Sequence, residues 1–138
     1  MDLSILTQPN LRDTEIVYSV LEGRAHIIAI AITMVAAILE CYLMLTPIPD
    51  AARPLLISDK AIHLIAFSVL AAPLSATNPL NAFWLVPSLS LSGGIIELLQ
   101  PFVGREAEWW DFIFNGMGAV LGAFIGTLGY LYFRRRFE

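Results

Sequence analysis

The sequence predicts an all-α integral membrane protein folded as a compact antiparallel bundle of four transmembrane helices. Three observations carry that prediction. Of 138 residues, 57% are hydrophobic and 14% are charged, with a mean hydropathy of +0.71, far more apolar surface than a soluble domain of this size can bury. The apolar residues gather in four runs, each close to the roughly 20 residues that a helix rising about 1.5 Å per residue needs to cross a core about 30 Å thick. The gaps between runs are short and hold proline and small polar residues, so consecutive helices are expected to pack antiparallel.

The elements follow in order. Residues 1–25 form a polar, amphipathic leading segment in which Leu11, Ile16, Val17, Val20 and Leu21 share one helical face; a helix lying along the membrane surface and a flexible tail both fit. Residues 26–138 form the membrane domain. Its first span, His26 to Leu45, begins too late and runs too long for a signal peptide. The link "TPIPDAARPLLISD" carries Pro47, Pro49 and Pro54 and leads to a second span from Asp59 to Ala76, short and polar at its start. "SATNPLN" makes a tight turn into the third span, Ala82 to Gln100, and "PFVGREAE" leads to the fourth, Trp109 to Phe133.

Charge and cysteine usage exclude several classes. The net charge of −4 argues against nucleic acid, Cys41 is the sole cysteine, and two histidines leave no Cys/His set for a structural zinc. With four spans both termini share a side, which holds Arg12, Arg24 and Arg134 to Arg136, against Arg53, Lys60 and Arg105 opposite. That bias puts the termini in the cytoplasm.

The same topology gathers polar residues at the other side. Glu40 ends the first span, Asp59, Lys60 and His63 open the second, Glu97 and Gln100 end the third, Arg105 lies in the loop, and Asp111 and Asn115 open the fourth. Asp59, His63 and Phe67 are spaced i, i+4, i+8; Glu97 and Gln100 are i, i+3; Asp111 and Asn115 are i, i+4. Each set therefore shares a face and can point inward. A charge facing lipid near mid-membrane costs about 2.5–3.5 kcal/mol on insertion scales, so Glu40 and Glu97 are expected to face the interior.

These residues resemble a known family. "DKAIHLIAF" at 59–67, a Gly-x-x-x-Glu-x-x-Gln stretch at 93–100, Gly104-Arg105 and "DFIFNGMGAVLG" at 111–122 look like the VanZ-like family of small bacterial membrane proteins, over roughly residues 40–125. The chain departs from that pattern at "EAEWW", 106–110, which is more acidic and aromatic. The family takes its name from a member associated with teicoplanin resistance, so the resemblance implies a bacterial inner-membrane location and an envelope role. It also implies that Asp59, Lys60, His63, Glu97, Gln100, Arg105, Asp111 and Asn115 are the recurring polar positions.

Several readings of the cluster stay open. It is either a structural network of ion pairs or a pocket at the outer face. As a pocket, Lys60 and Arg105 would hold the phosphate of a lipid or lipid-linked envelope precursor, with Glu97, Asp111 and Asn115 orienting them; alternatively the acidic groups would receive a cationic amphiphile. An enzyme using Glu97 or His63 as acid or base is a further reading, although no nucleophile stands out. No metal or other cofactor is expected, because His26 lies at the far face and leaves His63 with carboxylates alone. Trp109 and Trp110 suit an interfacial belt or a pocket mouth. Gly118, Gly122 and Gly126 form a small-residue stripe for close packing, within the chain or in a homo-oligomer, and a ligand-free scaffold would use that stripe.

Overall fold

The structure, a computed structural model, describes residues 11–47 and 58–137. Four helices account for most of them: α1 (Leu11–Leu45), α2 (Asp59–Ser75), α3 (Ala82–Leu99) and α4 (Trp109–Phe137). Short 3₁₀ turns at Pro79–Asn81 and Gln100–Val103 precede and follow α3, and no strand occurs among the described residues. Pro49, Arg53 and Pro54 lie outside them.

Local chemistry explains the ends. Pro47 follows α1 closely and cannot extend it. Ser58 caps α2, its hydroxyl accepting the Ala61 N–H at 3.2 Å. After α2, the Asn78 side chain accepts the Leu80 N–H at 3.0 Å, and the Asn81 amide donates to the Leu74 carbonyl at 2.9 Å, folding the turn into α3. Pro101 stops α3, and Gly104, the one described residue with positive φ (79°), turns the chain so that Arg105 N–H reaches the Gln100 carbonyl at 3.0 Å.

Among the described residues, three segments are long and apolar enough to cross a membrane: Glu15–Leu45, Pro79–Val103 and Trp109–Arg136. The second predicted span departs from expectation. α2 has 17 residues, about 26 Å at 1.5 Å per residue, and does not meet that criterion. It needs less lipid-facing surface, because α1, α3 and α4 all pack on it and Phe67, Leu70, Ala71 and Leu74 are buried there. α1 differs too: it runs as one helix across position 25, where the sequence reading draws a boundary. The predicted face of Ile16, Val17, Val20 and Leu21 is exposed.

The helix directions follow from contacts. His26 Nδ1 meets Thr77 Oγ1 at 2.8 Å and Thr33 Oγ1 donates to the Leu70 carbonyl at 3.4 Å, so α1 and α2 run antiparallel. α3 is antiparallel to α4, with Ser90 opposite Gly116 and Gly94 opposite Phe112. The most extensive interface, however, joins two non-consecutive helices, α2 and α4, which run parallel. Gly118, Gly122 and Gly126 lie against the backbone of Leu64, Ser68 and Ala72 respectively. A Cβ on Gly122 would overlap the Ser68 carbonyl oxygen and sit 2.7 Å from its Cα. The stripe is thus seated on α2 of the same chain; a homo-oligomer through it would have to displace α2. Gly129 is the exception, with nothing within 4 Å of a Cβ.

Large apolar side chains line the outside. Ile27, Val35, Ile38, Val69, Leu91, Leu98, Val120 and Phe124 are all exposed, whereas the buried core of Ala29, Phe67, Leu70, Ala71, Leu74, Leu85, Leu89, Ala119 and Ala123 is small and alanine-rich. Such an inside-out distribution is unfavourable in water and favourable in lipid.

Candidate functional site

Parallel packing of α2 on α4 brings their two N-terminal ends together, and the C-terminal end of α3 arrives antiparallel beside them. His63, one turn inside α2, is the centre. It is fully buried, and its Nδ1 lies 2.8 Å from Asn115 Oδ1, while Glu97 Oε1 stands 3.9 Å from the same nitrogen. Its Nε2 faces Asp111 Oδ2 at 3.6 Å. Asn115 fits because Gly93 of α3 leaves room: a Cβ there would lie 2.8 Å from Asn115 Nδ2 and 3.0 Å from Phe67 Cζ.

Around this centre the residues form a continuous polar wall. Glu97 Oε2 accepts the Glu108 N–H at 3.2 Å. The Gln100 amide, with its nitrogen turned inward, donates to Glu97 Oε2 at 3.1 Å and to the Glu106 carbonyl at 3.2 Å. Arg105 donates through Nη1 to the carbonyls of Met44 at 3.1 Å and Leu43 at 3.3 Å, the free carbonyls at the end of α1, and its Nη2 lies 3.8 Å from Asp59 Oδ1. Cations are favoured at a helix C-terminus, so Arg105 doubles as a strap between α1 and the loop. Lys60 Nζ bonds Glu108 Oε2 at 2.8 Å. That partner holds the Glu108 carboxyl below its ordinary range, and the pair is partly solvated, with side chains 37% and 47% exposed.

The eight predicted binding positions, Asp59, Lys60, His63, Glu97, Gln100, Arg105, Asp111 and Asn115, therefore meet at one end of the molecule. Glu40 is buried but separate: no hydrogen bond or ion pair among the described residues ties it to His63. Trp109 stacks edge-on against Phe112, with ring centroids 6.1 Å apart, and Trp110 is exposed. Two contributors lie outside the predicted site residues. Glu108 neutralises Lys60 and caps Glu97, and Gly93 admits Asn115; each depends on which helices pack together, and the spacing within one helix does not reveal that.

Several buried atoms end without a hydrogen-bond partner among the described residues. They include His63 Nε2, Glu97 Oε1, Asp111 Oδ1 and Asn115 Nδ2. Buried polar groups are nearly always paired, so one such nitrogen of the imidazole and three such atoms on its neighbours mark a site with unused binding capacity. A groove of about 640 Å³ reaches this wall from the side. Pro87, Leu91, Ile95, Leu98, Trp109 and Phe112 form its apolar length, and Glu97 and Glu108 stand at its polar end. Comparison with protein-family models, curated proteins and solved structures finds no match.

Proposed function

We propose that this chain is a four-span protein of the bacterial inner membrane, with cytoplasmic termini and a polar site at the outer face that receives the head of an amphiphile. The groove between α3 and α4 carries the proposal: apolar along its length and closed by Glu97 and Glu108, it matches a chain with a hydrogen-bond-donating or cationic head. α2, though short, completes the bundle because its neighbours cover it. The motif order resembling the VanZ-like family supports an envelope role, tied to teicoplanin-type glycopeptide resistance or to envelope homeostasis.

A phosphate-bearing lipid or lipid-linked precursor is the second reading. Lys60 favours it by standing on the rim, more than a third exposed. Against it, Lys60 already holds Glu108 and Arg105 already holds the end of α1, so a phosphate would have to displace those partners. A cationic head held by Glu97, whose Oε1 has no hydrogen-bond partner among the described residues, would leave the Lys60–Glu108 pair in place.

Trp109 lines the groove and supplies the readout. With the protein in nanodiscs, titration with a long-chain alkylammonium should change its fluorescence saturably, and the matching alkyl phosphate should compete poorly. Glu97→Gln removes a charged acceptor, for which hydrogen bonds are worth about 1.5–3 kcal/mol, so the alkylammonium should bind at least tenfold more weakly. Equal binding by wild type and Glu97→Gln would refute the cationic reading, and preference for the phosphate would replace it with the second.

A further inference from the structure

The two ring nitrogens of His63 face different sets of atoms. Nδ1 has two acceptors beside it, Asn115 Oδ1 at 2.8 Å and Glu97 Oε1 at 3.9 Å. That environment places the imidazole proton on Nδ1 and leaves the Nε2 lone pair pointing toward Asp111 Oδ2, 3.6 Å away. A lone pair opposed to a carboxylate oxygen repels unless an electrophile stands between them. A second proton would make an N–H···O contact of 3.6 Å, beyond the roughly 2.7–3.2 Å of a hydrogen bond. A metal ion about 2.0–2.1 Å from each atom would set tetrahedral ligands about 3.3 Å apart, much closer to what is found.

We propose that Asp59, His63 and Asp111 form a binding site for a divalent transition-metal cation of the zinc or manganese kind. One ligand atom from each lies within 4.8 Å of the others. His63 Nε2 and Asp111 Oδ1 are buried and have no hydrogen-bond partner, and two carboxylates balance a 2+ charge. Asp59 sits one helical turn before His63, and metal binding would draw its half-exposed carboxylate inward from Arg105 Nη2, 3.8 Å away. Three protein ligands leave a further coordination position on the open side, where Asp59 meets solvent. Asn115 serves as the outer partner that fixes the ring and its tautomer, the role commonly played by a carbonyl or carboxylate behind a metal-bound histidine. This site departs from the sequence reading, which expects no metal because His26 lies at the far face and leaves His63 with carboxylates alone.

The proposal stands independently of the amphiphile groove. The protein, stripped with chelator in detergent, would be titrated separately with Zn2+ and Mn2+, and Co2+ would report coordination through its visible absorption. One Zn2+ or Mn2+ per chain is expected. Asp59→Asn, on an exposed side chain, should weaken binding at least tenfold and alter the Co2+ spectrum while leaving the melting temperature of the metal-free protein unchanged. Glu106→Gln, on a neighbouring exposed carboxylate outside the site, should change neither. Absence of one-to-one binding by both metals would overturn the proposal. So would an Asp59→Asn variant that binds as wild type does, or a Glu106→Gln variant that loses as much.

Discussion

Asn115 holds the buried Nδ1 of His63 at 2.8 Å, and Gly93 makes the space in which it does so. Truncating Asn115 to alanine removes the near acceptor and leaves a buried imidazole N–H facing only Glu97 at 3.9 Å. An unsatisfied buried donor costs about 1–3 kcal/mol. Gly93→Ala should reproduce much of that loss without touching either polar residue, because its Cβ would press on Asn115 and Phe67. Denaturation in mixed micelles measures both, and a Gly93→Ala variant as stable as wild type would mean that this close approach is not required. At this scale the sequence was informative about membership and silent about pairing. Spacing put Asp59 with His63 and Asp111 with Asn115 on common faces, since helical periodicity fixes that. Spacing could not show that Lys60 would be taken by Glu108, or Arg105 by the end of α1, because those partners come from other elements.

Among the elements, α2 and α4 decide the arrangement. The stripe of Gly118, Gly122 and Gly126 lets α4 approach the α2 backbone closely, and this contact, being parallel, places the first turns of both helices side by side. Gly122→Ala gains up to about 1 kcal/mol of helix propensity, but its Cβ overlaps backbone atoms of Ser68 that no rotamer change can move. The overlap should dominate, with a net loss of about 1–3 kcal/mol, typical of overpacking. Gly129→Ala meets nothing within 4 Å and should be neutral or slightly stabilising. Equal behaviour of the two variants in a denaturation series would show that the stripe does not seat α4 on α2. The glycine repeat and the element ends were legible from sequence, because proline, glycine and capping residues act locally. The stripe's partner was not legible; the shortness of α2 was, but not that its neighbours would cover it. A helix covered by its neighbours is read by the same hydropathy rule as one facing lipid, although its surroundings differ.

Over the whole molecule, polarity is segregated lengthwise. An apolar exterior runs along three long helices, and the buried ionisable groups of α2, α3 and α4, which are His63, Glu97 and Asp111, converge at one end. The composition alone announced the apolar exterior, and the alternation of helix direction announced the convergence. The groove between α3 and α4 was not foreseeable, because it arises from the gap between Leu91, Leu98 and Phe112 on separate helices. On the proposed reading, this end is a site for an amphiphile rather than a self-contained network. Native mass spectrometry of protein extracted gently from its membrane tests it most directly, comparing wild type with Glu97→Gln and recording the melting temperature of each. Retention of one amphiphile class by wild type, and its loss from a Glu97→Gln variant that melts at the same temperature, is the predicted result. No selected amphiphile in wild type, with Glu97→Gln simply melting earlier, would contradict the claim and leave the cluster a structural network.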